Sequence, residues 1–512
     1  MIKNFKWLLL VSLTFVACNN DDETTIDPNS TDGLPLTAGT ADFSKFVALG
    51  NSLTAGFSDN ALFIASQQGA YPNILAQKFA LVGGGEFTTP FMNDNVGGML
   101  LGGNQILGPR LFLAPGNNPT PVTGPPTTEV SNVLAGPFNN MGVPGAKSFH
   151  LLAPGYGNIA GVATGQANPY FVRFASAPGT TIIADAVAQN PTFFSLWIGN
   201  NDVLSYATSG GTGTNQLTNP NPATYSSNDI TNTAVFANVY STLIDQLTAN
   251  GAKGVVANIP YVSTVPFFTT VPTNPVPLSA TQVAQLDGGI FGPLDGILTA
   301  LGQPDRIVAL TSTGTNPVLI RDESLTDFGP QITGALIANG VPAAQAGLMG
   351  GLYGQARHAR NTPGDRDFVL LTTRGIIGTT QAGVPAPFNT VAITFPLQDS
   401  AVLTAAENLE VVTATDAFNT AIATKANEKG LAFVDANAIL AQVNNGGLVS
   451  NGFTMTSTFV TGNSFSLDGV HLSPKGYALI ANKFLEAINA KYGSNFKGVN
   501  LGQYRILFPA TL

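Results

Sequence analysis

The residue with the clearest chemical potential is a serine that follows a short apolar segment. Residues 46–49 (Phe-Val-Ala-Leu) predict a buried strand, after which the chain passes through Gly50, Ser52 and Gly56. A tight turn of this kind can expose one hydroxyl at the end of a sheet, where it can act as a nucleophile. Because the same pattern also forms ordinary turns, Ser52 is at this point only a candidate nucleophile.

A serine hydroxyl needs a base, and the chain has only three histidines. Serine is a weak nucleophile near neutral pH unless a histidine, oriented by a carboxylate, takes its proton. His471 follows Asp468 by three residues on a glycine-containing loop, whereas His150 has no acidic neighbour and His358 precedes two aspartates in a loop. The first pair is the best candidate. It could also be a surface loop or half of a metal site, but no second ligand cluster accompanies it, so metal is the weakest interpretation and no cofactor is expected.

Two further positions could stabilise negative charge on a reacting oxygen. Gly145 lies in a tight loop beside Pro144, and a glycine lets its backbone N–H approach a ligand oxygen without a side chain in the way. Asn201 follows an apolar strand predicted over residues 193–198, and its amide could donate a hydrogen bond while staying uncharged. Both residue types are also common in turns, so neither is decisive alone.

Taken in chain order, four short segments resemble the SGNH hydrolases, also called GDSL esterases and lipases. The segments are Gly50-Asn51-Ser52-Leu53, Asn140-x-x-x-x-Gly145, Gly199-x-Asn201-Asp202 and Asp468-x-x-His471. The resemblance covers about residues 43–259 and 401–492. Asn51 stands where the family name has aspartate, and because that aspartate is not one of the implied catalytic groups, the departure concerns mainly hydrogen bonding within the turn.

The resemblance implies a role for each residue of the candidate site. Ser52 would be the nucleophile, His471 the general base and then the general acid, and Asp468 the carboxylate that orients the histidine. The oxyanion hole would consist of the backbone N–H groups of Ser52 and Gly145 together with the side chain of Asn201.

The elements that must position these residues alternate between strands and helices. Helices are predicted over residues 71–81, 181–188, 234–249, 404–429 and from 473 onward, and further strands over 254–259 and 431–435. Two helix starts are marked, by a capping box at Thr404 and Glu407 and by Ser473 before a proline. Alternation specifies an α/β fold with a parallel sheet. We expect a three-layer α/β/α sandwich of the SGNH or flavodoxin-like kind with long loop insertions.

The same pattern suggests how the chain is divided. The predicted hydrolase domain comprises residues 41–260 and 401–512. Residues 261–400 break into proline-rich loops and short helices, and we interpret them as an insertion, with a cap over the site as a hypothesis. Residues 84–136, rich in Gly, Pro, Asn and Thr, predict a surface excursion that could shape a substrate entrance.

The start of the chain predicts export and a lipid anchor. Lys3 and Lys6 precede an apolar run over residues 7–17, which is too short to span a bilayer but suits a signal peptide. Cys18 follows Phe-Val-Ala, which resembles a bacterial lipobox; an incidental cysteine after an ordinary signal is the alternative. Residues 18–40 predict a flexible tether. Its acidic start resembles the surface-export signal of Bacteroidetes lipoproteins, although a solvated linker is nearly as good an interpretation. We expect an outer-membrane lipoprotein facing the periplasm or the cell surface.

The composition limits which molecules the protein is expected to bind. The 512 residues carry a net charge of −9 with only 10% charged residues, and no basic stripe that would suit a phosphate backbone, so nucleic acid is not expected. A single cysteine allows no disulfide within the chain. The expected substrate is an ester, either an acyl lipid or an acylated glycan, and the sequence does not choose between a lipase-like esterase and a carbohydrate O-acetyl esterase. A binding lipoprotein with a decayed site is the alternative of a different class.

Overall fold

A parallel sheet of five strands forms the centre of the protein, whose computed structural model describes residues 26–512. The strands are β1 Phe46–Gly50, β2 Asn140–Gly142, β3 Phe193–Trp197, β4 Lys253–Ala257 and β5 Ala432–Val434. Their order across the sheet is β5-β4-β3-β1-β2, and every neighbouring pair is parallel. β1 and β3 are buried along their whole length, which explains why both are apolar without alternation.

Helices cover both faces of this sheet. They are α1 Ser52–Ala55, α2 Tyr71–Ala80, α3 Ile182–Val187, α4 Asn201–Thr208, α5 Thr233–Thr248, α6 Ala405–Glu428, α7 Ala436–Asn444 and α8 Pro474–Tyr492. On one face, α2 packs on α8 through Tyr71 and Phe484, whose ring centroids lie 4.7 Å apart. On the other, α5 packs on α6 through Phe236 and Phe418, stacked at 4.1 Å. The predicted three-layer α/β/α sandwich is confirmed.

The predicted helix starts are also confirmed. Thr404 accepts a hydrogen bond from the backbone N–H of Glu407, whose carboxylate accepts in return from the N–H of Thr404 at 2.7 Å. Ser473 accepts from the N–H of Gly476 at 3.0 Å, and a proline occupies the next position. Each cap satisfies donors that the first turn of a helix leaves without partners.

Residues 261–400 contain more regular structure than their sequence predicts. Helices lie at Pro266–Thr269, Ala280–Leu286, Gly292–Ala300, Gly329–Ala338 and Ala343–Tyr353. Short strands lie at Val276–Pro277, Thr315–Asn316, Leu319–Arg321, Ala356–His358, Asn361–Thr362, Asp365–Arg366 and Phe368–Val369. The sequence predicts only proline-rich loops and short helices in this segment. Two apolar clusters built mainly from this segment stabilise it.

The excursion over residues 84–136 contains two β-hairpins, and the rest of it is irregular. Met99–Leu101 pairs with Asn104–Leu107, and Leu111–Ala114 pairs with Asn118–Pro121. A buried arginine, Arg110, ties the second hairpin to the chain's end by donating to the carbonyl oxygen of Pro509 at 2.8 Å.

The described part of the predicted tether lies against the folded domain. The backbone N–H groups of Thr31 and Thr37 donate to the main-chain and side-chain oxygens of Asn495, and that of Thr40 donates to the carbonyl oxygen of Tyr492, all within 2.9 Å. This differs from a freely flexible linker, because these bonds join the segment to the end of α8. The predicted signal peptide and Cys18 lie outside the described residues, and no described helix has the length and apolarity needed to cross a bilayer.

Candidate active site

The serine turn begins where β1 ends. Gly50 leaves no room for a side chain, because a Cβ there would collide with the carbonyl oxygen of Trp197. Asn51 is fully buried and caps the single turn α1: its Oδ1 accepts from the N–H of Leu53 at 3.0 Å. Its Nδ2 donates to Oδ1 of Asn200 at 3.1 Å. Asparagine therefore caps the turn as an aspartate would, and it also supplies a donor that an aspartate lacks.

The structure brings together the three residues predicted as nucleophile, base and orienting carboxylate. Oγ of Ser52 lies 2.9 Å from Nε2 of His471, and Nδ1 of the same ring lies 2.9 Å from Oδ2 of Asp468. A carboxylate only accepts hydrogen bonds, so Nδ1 carries the proton and Nε2 is free to accept from the serine hydroxyl. This is the arrangement that activates a serine for attack on a carbonyl carbon.

Asp468 is held in its ionised form by its surroundings. Burial by itself would raise the pKa of Asp468, but His471 and the hydrogen bonds from nearby backbone N–H groups hold that pKa below its usual value. Its Oδ1 accepts from the N–H groups of Val470 and His471, both at 2.8 Å, and its Oδ2 accepts from the N–H of Asn60 at 2.9 Å. Three backbone N–H groups thus hold the charged carboxylate in its orientation in the absence of substrate.

The loop that carries the histidine is shaped by packing on its neighbours. Gly469 has a φ of +72°, which favours glycine, and its carbonyl oxygen accepts from the N–H of Phe267 at 2.9 Å. The ring of Phe57 lies 4.6 Å from the imidazole of His471. The N–H of Ser466 closes the loop by donating to the carbonyl oxygen of His471 at 2.8 Å.

Each candidate oxyanion donor has an N–H group that can bind a ligand oxygen. Among residues 26–512, the backbone N–H groups of Ser52 and Gly145 have no hydrogen-bond acceptor, and Gly145 adopts a φ of +80° at an exposed position. Asn201 donates one amide hydrogen to the carbonyl oxygen of Ala146 at 2.9 Å, which leaves its second hydrogen for a ligand. The N–H of Val143 donates to the carbonyl oxygen of Gly50 at 3.0 Å, so the loop and the serine turn are held side by side.

The other two polar residues of the matching segments support this loop. Asn140 is buried in β2 and donates to the carbonyl oxygen of Thr54 in α1 at 3.0 Å. Asp202 is buried in α4 and accepts from the hydroxyl and the N–H of Ser148 at 2.7 and 2.8 Å. Both residues join the loop that contains Gly145 to the elements that carry Ser52 and Asn201.

The two remaining histidines are buried and contact residues outside the candidate site. His150 is stacked on Tyr156 with ring centroids 4.3 Å apart, and burial together with the nearby Lys147 lowers the pKa of His150 to about 3. His358 accepts from the N–H of Val308 at 3.0 Å, and burial lowers its pKa to about 4. Both imidazoles are therefore neutral near neutral pH and engaged elsewhere.

Sequence reasoning missed one residue that holds the histidine loop in place. Asp59 is only 1% exposed; its N–H donates to Oγ of Ser466 at 3.0 Å and its Oδ1 accepts from the N–H of Leu467 at 2.9 Å. Its Oδ2 has no partner within the described chain. Burial, with a contribution from the charge of Asp468, raises the pKa of Asp59 to about 7. The sequence signal was only a Ser-Asp-Asn turn, far along the chain from the histidine.

A cavity opens beside the reacting groups. It has a volume of about 850 Å³ including its open mouth, and Ser52, Asn201 and His471 lie on its wall. From residues 261–400 only Val262 and Val265 reach it, and the excursion over 84–136 contributes no lining residue. The hypotheses that these two segments form a cap and an entrance therefore gain no support from this cavity and stay predictions.

A group of three carboxylates could hold a cation. Oxygens of Glu323, Asp399 and Glu407 lie within 4.8 Å of one another. Burial raises the pKa of Asp399 and of Glu407, and repulsion among the three carboxylates adds to both shifts. None of the three lines the cavity beside Ser52. The prediction that the protein uses no metal stays a prediction.

Comparison with known proteins adds little to this geometry. No family model and no curated protein matches the chain. A solved structure of an extracellular lipase from Streptomyces rimosus matches at 11% identity with a TM-score of 0.28, over 87% of this chain and 98% of that chain. A similarity of this size carries no functional argument. The resemblance to the SGNH hydrolases therefore rests on the four sequence segments and on the way the structure brings them together.

Proposed function

We propose that this protein is a serine ester hydrolase that works through an acyl-enzyme. The observation that carries the proposal is the continuous chain of hydrogen bonds from Ser52 through His471 to Asp468, with 2.9 Å at both links. It stands at the carboxyl end of β1, beside N–H groups that have no acceptor among residues 26–512. Nucleophile, base, orienting group and oxyanion donors are the parts that acyl transfer requires.

In the proposed first half-reaction, Oγ of Ser52 attacks the ester carbonyl carbon while its proton passes to Nε2 of His471. The carbonyl oxygen becomes negatively charged and accepts hydrogen bonds from the N–H groups of Ser52 and Gly145 and from the Asn201 amide. The carbon–oxygen bond to the alcohol then breaks, and the imidazolium returns the proton to the departing alcohol oxygen. Asp468 stabilises the imidazolium by its charge.

In the second half-reaction, water attacks the acyl-enzyme. His471 takes a proton from the water while the water oxygen bonds to the carbonyl carbon. The N–H groups of Ser52 and Gly145 and the Asn201 amide stabilise the second tetrahedral intermediate. Collapse breaks the bond to Oγ of Ser52, which regains a proton from Nε2, and the carboxylic acid leaves. Each turnover therefore consumes one ester and one water and restores the starting protonation states.

The direct test is hydrolysis of p-nitrophenyl esters, from acetate to palmitate, by a chain that begins at Asn19 and so keeps every described residue. We expect turnover that is lost in Ser52→Ala. A matched control is Ser195→Ala, because Ser195 is a buried serine of the neighbouring strand β3. Equal turnover by the wild type and Ser52→Ala would contradict the proposal.

We also propose that Cys18 carries the lipid that attaches the protein to the outer membrane. The support is the lipobox-like sequence before this cysteine, which is the only one in the chain. Cells grown with radiolabelled palmitate should yield a labelled wild-type protein and an unlabelled Cys18→Ala variant. Equal labelling of both proteins would contradict this proposal.

A further inference from the structure

The cavity beside Ser52 has one polar end and otherwise apolar walls. At the polar end lie Ser52, Asn201 and His471, with Asn51 and Asn200 next to the first two in the chain. Away from that end the wall is formed by aliphatic and aromatic side chains of three segments, among them Val265, Ile439, Val443, Phe465, Leu479 and Ile480. The first comes from the chain beyond β4, the next two from α7, and the rest from the histidine loop and the start of α8.

Charged groups are absent from this wall as far as the described chain goes. His471 is the titratable residue on it, and the polar exception away from the reacting end is Ser464, whose buried hydroxyl has no partner among residues 26–512. A sugar ring placed here would lose hydrogen bonds to water and find almost none in return. An alkyl chain would lose none.

The cavity is also large enough for a chain of several carbons. Its empty space, open mouth included, amounts to about 850 Å³. An acetyl group would put a single methyl into this space and leave most of the apolar wall without contacts. The geometry therefore favours a longer aliphatic group over acetate.

We propose that this cavity, between α7 and the start of α8, binds the aliphatic acyl chain of the ester that Ser52 attacks. The proposal rests on the proposed serine hydrolase function and narrows its substrates to esters of medium- and long-chain acids. The polar end holds the carbonyl group at Ser52, and the chain extends toward Val443 and Ile480. The chain stays in the cavity through the acyl-enzyme stage, while the alcohol leaves toward solvent.

The structure offers a matched pair of variants for the test. Val443 is buried on the cavity side of α7, whereas Ala441, two residues earlier on the same helix, is exposed and does not line the cavity. Val443→Phe should shorten the cavity, and Ala441→Phe should add the same ring outside it. Ile439→Phe, at a half-buried lining position, is a second narrowing variant that places less demand on the core.

The measurement is kcat/KM for p-nitrophenyl esters of increasing acyl length and, in parallel, for alkyl acetates of increasing alcohol length. The wild type should gain about fourfold per added methylene on the acyl side until the cavity is full, which corresponds to ~0.8 kcal/mol per buried methylene. Val443→Phe and Ile439→Phe should lower the octanoate-to-acetate ratio about 16-fold, equivalent to losing room for two methylenes. Ala441→Phe should keep the wild-type ratio.

Three outcomes would overturn the acyl assignment while leaving ester hydrolysis in place. These are an unchanged ratio in both narrowing variants, an equal drop in Ala441→Phe, and a gain with length that appears for the alkyl acetates instead of the acyl series. Turnover that is not serine-dependent would instead overturn the proposed function. Binding of cis-parinaric acid to Ser52→Ala then tests the cavity separately: about tenfold weaker binding when Val443→Phe is added supports it, and unchanged binding overturns it.

Discussion

Replacement of Asp59 by asparagine should change how the stability of the protein depends on pH. Asp59 is buried beside the histidine loop, and burial raises its pKa from 3.8 to about 7. The folded protein therefore binds this proton more tightly than the unfolded chain does. The stability that protonated Asp59 contributes is fully present below about pH 4 and is lost as the pH rises to about 7. A rise of the pKa of Asp59 from 3.8 to about 7 corresponds to a free energy of about 4 kcal/mol.

Asparagine removes the titration and keeps the acceptor for the N–H of Leu467, which Oδ1 of Asp59 provides at 2.9 Å. Urea unfolding should be measured for both proteins in steps from about pH 4 to about pH 8. The free energy of unfolding of the wild type, relative to Asp59→Asn, should fall by up to about 4 kcal/mol over this range. Because all other titrating groups are shared, they cancel in the difference. A difference that does not vary with pH would refute the raised pKa and with it this description of the loop.

Three further substitutions have defined outcomes. Asn201→Ala should lower kcat by about 10²–10³ with an unchanged circular dichroism spectrum, because one oxyanion donor is lost; wild-type kcat would contradict that role. Asp468→Asn should lower kcat by about 10⁴, since an amide in place of the carboxylate favours the wrong histidine tautomer; a loss below tenfold would argue against the triad. Asp367→Ala should lower the free energy of unfolding in urea by about 3–5 kcal/mol. The buried guanidinium of Arg357 lies 2.6 Å from Asp367 and would lose one of its two carboxylate partners. A change below 1 kcal/mol would contradict this.

The central sheet and the site segments were accessible to sequence reasoning because their signals are local. Residues 46–49 and 193–198 are apolar without alternation, which indicates strands covered on both faces, and the structure has strands there. The capping box at Thr404 and the serine–proline pair at 473 mark helix starts within a few residues. Ser52 and Asn201 each follow a strand of the parallel sheet, and residues that follow such strands lie at one edge of it. His471 follows no strand of this sheet, and its meeting with Ser52 was implied by the resemblance to the SGNH hydrolases.

The parts that were missed depend on contacts between distant segments. Asp59 gains its environment from Ser466 and Leu467, which lie more than 400 positions away, and no local pattern reports such burial. The helices of residues 261–400 contain glycine and proline, which lower helix propensity, and packing of their apolar residues into shared clusters compensates for this. The cavity is formed by elements far apart in the chain, so its shape could not be predicted from the sequence.

The most direct measurement of the central claim is covalent labelling with a fluorophosphonate, followed by peptide mass spectrometry. This reagent traps a serine whose proton is removed by a neighbouring base, which is what the 2.9 Å contact between Ser52 and His471 provides. The structure predicts a single label on the peptide that contains Ser52, and loss of that label in His471→Ala. A wild-type protein that stays unlabelled, or that carries the label on another serine, would contradict the assignment of this site.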